Sequence, residues 1–136
     1  MIGIVIVTHG AFGAELLDAA NVILGADQKC AVISVDISRG MDVILREIKD
    51  AAATQDQGEG VLILTDMFGG TPTNLSLSLL ESGGVEVITG VNLPMLLKVL
   101  GTREGGLQKA ASEAKSAGKQ GILVAGEVLR RKIAEG

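Results

Sequence analysis

Four short runs dense in valine and isoleucine, at residues 2–8, 30–36, 61–65 and 85–89, limit what this chain can fold into more than any other feature. Three of them are nearly continuous in apolar residues and lack the alternation of a strand that faces water on one side. Continuous runs of this length belong to strands buried on both faces of a parallel sheet. A fifth, shorter run lies at residues 122–125. Between the runs the apolar spacing becomes helical. Phe12, Leu16, Ala19 and Ile23 share one face, and Gly25 follows as a C-cap. Ile44, Ile48, Ala51 and Ala52 share another, which ends before the turn at residues 58–60. Thr71-Pro72 predicts an N-cap followed by proline at the first helical position. The alternating Leu75-Ser76-Leu77-Ser78-Leu79 is assigned to that helix, with Gly83-Gly84 as its stop. Asn92-Leu93-Pro94 opens a further short helix, residues 107–117 predict a more exposed one, and the charged tail 127–136 is a frayed helix or an arm on a partner subunit. The alternation of strand and helix predicts an α/β fold with right-handed crossovers. A length of 136 residues suits one domain, 1–136.

Composition removes several classes of function. Hydrophobic residues make up 47% and charged residues 21%, enough for a sizeable core and too apolar for disorder. Phe12 and Phe68 are the only aromatics and the net charge is −4, so stacking platforms and a basic field for nucleic acid are both missing. No run reaches 18 uninterrupted apolar residues, and the apolar N-terminus lacks the basic flank and cleavage site of a signal peptide. Cys30 is the single cysteine, which excludes an internal disulfide, fits a cytoplasmic location and reads as a small buried hydrophobe. One His and one Cys cannot build a typical zinc site, and neither a Walker loop, a dinucleotide glycine motif nor a Gly-x-Ser-x-Gly elbow occurs. No metal and no cofactor is expected.

In an open α/β sheet, ligands bind beyond the carboxyl ends of the strands, near the reversal of strand order. The first strand ends in Thr8-His9-Gly10 and the third in Thr65-Asp66-Met67-Phe68-Gly69-Gly70-Thr71-Pro72. Alone, each part has an ordinary structural use: a surface histidine, a turn-capping aspartate, a helix-entry turn. Their coincidence on one edge, after strands that are candidates to be neighbours, points to chemistry. A neutral imidazole has one nucleophilic nitrogen, and a carboxylate holding the other ring N–H leaves that nitrogen free to attack. His9 is the candidate nucleophile and Asp66 the group that fixes its tautomer. Gly69 and Gly70 allow backbone amides close to an anion, and the helix start at Thr71 presents unsatisfied N–H donors and a hydroxyl. Gly10 is expected to remove side-chain bulk beside the imidazole. Two charges about 6 Å apart repel by roughly 3 kcal/mol at an effective dielectric of about 20, so Asp66 is expected on the far side of the ring from any bound phosphoryl group.

At these residues the sequence resembles the IIA domain of the mannose family of the phosphoenolpyruvate-dependent sugar phosphotransferase system. The likeness rests on T-H-G after the first strand, D-M-F-G-G-T-P-T-N after the third, and G-V-N-L-P-M-L at residues 90–96, and it spans nearly the whole chain. It implies a doubly wound sheet of four parallel strands in order 2-1-3-4. It also implies a fifth, antiparallel strand exchanged between the subunits of a homodimer, here around residues 122–125. It implies further that His9 takes a phosphoryl group from the phosphohistidine of HPr and gives it to a separate IIB component. Contact with membrane IIC and IID components would then run only through IIB. Asp66 corresponds to the residue that hydrogen-bonds the active histidine and Thr71 to a hydroxyl near the phosphoryl group. Two features depart from the family pattern. Met67 stands where some members carry a threonine, and the sequence ends after the IIA region where some relatives continue into IIB. Asn92 is a candidate both for the docking surface and for a helix N-cap. Two alternatives stay open: a regulatory phosphoacceptor of an incomplete system, and a phosphoryl donor related to the dihydroxyacetone kinase system.

Overall fold

In a computed structural model, which describes residues 1–36 and 38–135, each of the four long apolar runs forms a strand. These are β1 (Gly3–His9), β2 (Ala31–Val35), β3 (Val61–Thr65) and β4 (Val85–Thr89). All neighbours pair in parallel, in the order β2-β1-β3-β4, with Val5 opposite Ala31 and Ile63, and Leu62 opposite Glu86. The doubly wound α/β sheet read from the sequence is the one observed. The helices are α1 (Phe12–Leu24), α2 (Met41–Gln55), α3 (Thr71–Leu77), α4 (Leu93–Gly101), α5 (Leu107–Gln120) and α6 (Ala125–Glu135), with a 3₁₀ turn at Leu80–Ser82.

Alternate side chains of one strand point to opposite faces of a sheet, so β1 and β3 feed two cores. Ile4, Ile6, Leu62 and Leu64 pack with Ala20 of α1, Leu96 and Val99 of α4, and Ala114 of α5. On the other face, Val5, Val7, Val61 and Ile63 meet Ile44 and Ile48 of α2 and Leu79 beyond α3. Burying each such side chain stabilises by about 1.5–3 kcal/mol, which is why neither face tolerates polar alternation.

Several local expectations change. Gly70, not Thr71, is the N-cap of α3, which moves Thr71 to the first helical position and Pro72 to the second. The extended backbone needed at the cap falls on Gly70 (φ −88°, ψ 170°). α3 also stops at Leu77 instead of reaching Gly83. The serines explain both the helix and its early end: Ser76 Oγ donates to the Pro72 carbonyl, Ser78 Oγ to Leu75 and Ser82 Oγ to Leu79, each at 2.7 Å. Hydroxyls that bond back onto the preceding turn satisfy carbonyls but weaken the regular ladder. α5 is less exposed than its composition suggests, because Ala110, Ala114 and Gly118 bury against the sheet and α4. Asn92 caps α4, its Oδ1 accepting from the Met95 amide while Nδ2 donates to Gly118, both at 3.0 Å.

The run at residues 122–125 forms no strand among the described residues. Ile122 to Val124 belong to no strand or helix, the Ile122 amide bonding back to Lys119 and the Val124 carbonyl accepting from Glu127 and Val128, and α6 begins at Ala125. A strand needs a neighbouring ladder, and this chain alone supplies none there. Ile122, Leu123, Val124, Leu129 and Ile133 are 61–79% exposed, and α6 buries no residue. The tail is thus a formed helix over Ala125–Glu135, with Gly136 outside the described residues.

At the opposite rim of the sheet from His9, Arg103 is only 9% exposed. Its Nε and Nη2 donate to the Ile2 carbonyl at 3.2 and 3.1 Å, and Nη1 donates to the Lys29 carbonyl at 2.8 Å. The guanidinium therefore ties the entries of β1 and β2 together. Cys30 packs against the first core, and burial pushes its thiol up to about 11 against the opposing pull of Arg103, which fits the reading of an inert small hydrophobe.

Candidate functional site

Two buried threonines, Thr8 next to the last residue of β1 and Thr65 at the end of β3, hold the loops that follow. Thr8 Oγ1 accepts from the Gly13 amide at 2.8 Å, closing the turn between β1 and α1. A side chain at Gly13 would come within 2.9 Å of Ile6 and 3.0 Å of Thr8 Oγ1, so the helix start can approach β1 only without one. Thr65 Oγ1 lies 2.6 Å from Thr73 Oγ1, which in turn donates to the Met67 carbonyl at 2.5 Å. This chain of hydroxyls pins the 66–70 turn over the end of β3. Gly13, Thr65 and Thr73 were not singled out from the sequence. A threonine closing an otherwise apolar strand is the signal that could have found Thr65.

These two loops bring His9 and Asp66 together. Asp66 Oδ2 accepts from the His9 amide at 2.9 Å and lies 2.8 Å from ring Nδ1, while Oδ1 accepts from the Met67 amide at 3.0 Å. An ionised carboxylate can only accept, so Nδ1 carries the ring proton and Nε2 keeps its lone pair. The His9 side chain is 51% exposed and that of Asp66 15%. Partial burial pushes the Asp66 carboxyl up, but the His9 amide, the His9 ring and the ring's charge outweigh it and hold the group below the ordinary carboxylate range. A carboxyl lowered on folding stabilises the protein above its unfolded value and loses that contribution as it takes up its proton. Stability is therefore expected to fall as the pH drops below the ordinary carboxylate range, and to fall less steeply in Asp66→Asn. Identical pH dependence of the two melting curves would contradict this reading of the carboxylate.

The bare edge of the ring faces the glycine turn. A side chain at Gly70 would sit 2.8 Å from His9 Cε1 and 3.4 Å from Nε2. The amides of Gly69, Gly70 and Thr71 donate to no described group, and the first helical bond of α3 runs from Asn74 to Gly70. Gly69 has φ 88° and Gly10 φ 52°, conformations that favour glycine. Gly10 needs correction in its reason: a side chain there would meet nothing within 4 Å, so backbone conformation and not bulk explains the residue. The Thr71 hydroxyl does not cap α3, and Thr71 lines the cavity beside His9. Because Gly70 has backbone angles that alanine can adopt, Gly70→Ala is expected to displace the ring at a cost of about 1 kcal/mol in stability or less. The check is the Nδ1–H proton resonance, which should weaken or vanish as the bond to Asp66 breaks while the fold persists.

A cavity of about 440 Å³ opens beside the ring, lined by His9 with Val35, Asp36, Arg39, Met41, Ile44 and Thr71. Arg39 Nη1 donates to the Ser34 carbonyl at 3.0 Å and Nη2 to Glu47 at 2.5 Å. The Asp36 carboxyl is held below its usual range, first by the Ser38 amide. Among the described residues no group of three His, Cys, Asp or Glu side chains is arranged to hold a metal, and no helix is long and apolar enough to cross a membrane.

A family model described as "EIIA-man: PTS system fructose IIA component" matches residues 3–116. The chain is 30% identical over 133 residues to the fructose-specific EIIA component of Bacillus subtilis, covering 96% of the chain and 91% of that relative. It is 32% identical over 124 residues to the mannose-specific EIIAB component of Escherichia coli, covering 89% of the chain but only 38% of that longer protein. Among solved structures, phosphotransferase system component EIIA from Streptococcus agalactiae superposes with a TM-score of 0.84 at 24% identity, over 93% of this chain and 99% of the other. That likeness speaks for the fold alone.

Proposed function

The chain belongs to the mannose-type IIA family of the sugar phosphotransferase system, and from that premise we propose that it is a phosphocarrier with its phosphoryl group on Nε2 of His9. The single observation that carries this reading is the contact of His9 Nδ1 with Asp66 at 2.8 Å, which leaves Nε2 free on the edge of the ring that packs against Gly70. In the step we propose, the Nε2 lone pair forms a bond to phosphorus. The bond from phosphorus to the ring nitrogen of phospho-HPr breaks, and that nitrogen keeps the electron pair. His9 then bears a phosphoryl group on Nε2 and a proton on Nδ1, so the ring is cationic. The Asp66 carboxylate stabilises that charge from the side away from the phosphoryl oxygens. The amides of Gly69, Gly70 and Thr71, with the Thr71 hydroxyl, serve as donors to those oxygens, each charge-assisted bond contributing about 1.5–3 kcal/mol. Transfer to a IIB component reverses the same step.

Residues 1–136 act in this reading as one domain that works in the cytoplasm without metal or cofactor and touches membrane components only through IIB. The sugar is set elsewhere, and the fructose-specific and mannose-specific names of the relatives offer candidates. We further propose that the exposed apolar segment at residues 122–124 completes a sheet in a second copy of the chain. Sedimentation should then report a dimer that dissociates when residues 122–135 are removed. A monomer at all concentrations rejects the exchange. The central test is incubation with phosphoenolpyruvate, enzyme I and HPr. One acid-labile, base-stable phosphoryl group per chain is expected, placed on Nε2 by phosphorus and nitrogen NMR. A chain that takes up none rejects the phosphocarrier reading.

A further inference from the structure

A phosphoryl group on His9 would bring about 1.5 to 2 negative charges into a site that already holds carboxylates. Asp36 lines the same cavity, and Asp66 stands behind the ring. Backbone amides donate to the oxygens but carry no net charge. The cavity lining contains one cation, Arg39, from the loop between β2 and α2. Its guanidinium has five N–H donors, of which the described residues use one on Nη1 and one on Nη2. Glu47 holds it by the Nη2 bond and offsets part of its charge.

We propose that Arg39 is the counter-charge that sets how strongly His9 retains its phosphoryl group, with Glu47 as the residue that moderates it. This deepens the phosphocarrier reading and rests on it. Arg39 is a positioning residue here, acting on the phosphoryl group through the field in the cavity. Removing the cation destabilises the phosphorylated state and leaves the free state nearly unchanged, so the exchange equilibrium with HPr must move. Removing the Glu47 charge strengthens the field of Arg39 and must move the equilibrium the other way. A residue that merely held the β2–α2 loop in place would not produce opposite signs.

The experiment measures the equilibrium constant for phosphoryl exchange with HPr, together with the phosphorus NMR titration of the phosphohistidine. Arg39→Gln should lower the constant about fivefold and raise the second ionisation of the phosphoryl group. Arg39→Lys should recover most of that loss, because charge and not the forked geometry is at issue. Glu47→Gln should raise the constant and lower the ionisation, and it carries the test even if the Arg39 variants fold poorly. If the parent chain is labelled but Arg39→Gln and Glu47→Gln match it in both readouts, the counter-charge is overturned and the phosphocarrier stands. If both variants shift in the same direction, Arg39 has only a structural part. A parent chain that takes no label removes both proposals.

Discussion

A His9→Ala variant incubated with phosphoenolpyruvate, enzyme I and HPr is expected to take up no phosphoryl group, and an Asp66→Ala variant to be labelled about a hundredfold more slowly than the parent. The size of the second effect follows from three bonds lost at once. Asp66 accepts from the His9 amide, the His9 ring and the Met67 amide. Without it the ring can adopt either tautomer and rotate away from the glycine turn, and the cationic ring of the phosphorylated state loses its counter-charge. Asp66→Asn is the more discriminating variant. An amide turned to accept from His9 must point its NH₂ at the Met67 amide, which is also a donor. Turned the other way, it faces the His9 amide with a donor. Either orientation leaves one clash, and neither restores the negative charge. Its loss should fall between the parent and Asp66→Ala, roughly ten- to a hundredfold. Equal transfer rates in parent and amide variant would refute the role assigned to Asp66.

Arg103→Ala is expected to lower stability by about 2–4 kcal/mol, because a hydrogen bond from a charged donor contributes about 1.5–3 kcal/mol and the carbonyls of Ile2, held by two shared bonds, and Lys29, held by one, both lose their donor. In a chain of this size the midpoint of thermal unfolding should fall by on the order of 10 °C. Arg103→Lys should recover only part, since an ammonium cannot reach both carbonyls with the planar fork of a guanidinium. The phosphoryl label per folded molecule should not change. A label that falls in step with stability at temperatures where the variant is folded would show that the two rims of the sheet are coupled.

The sheet was legible because burial on both faces leaves continuous apolar runs, and the strand order followed from the resemblance. The meeting of His9 and Asp66 was legible because strand ends converge on one edge once β1 and β3 are neighbours. Interactions that depend on distant parts of the chain were not. Arg103 lies in a charged, glycine-rich loop that looks exposed, and only the fold brings it against carbonyls 74 and 101 residues away. Arg39 was missed for a similar reason, since its place in the cavity is fixed by Glu47 on the next helix and by the end of β2. The cap of α3 shifted by one residue because Gly70 must lie against the imidazole, a constraint from tertiary packing that no local propensity encodes.

Arg103 lies across the sheet from His9, so its grip on the carbonyls of residues 2 and 29 is separate from the rim that carries His9 and Asp66. The firmness of the fold and the set of groups around the imidazole should therefore be separable by substitution.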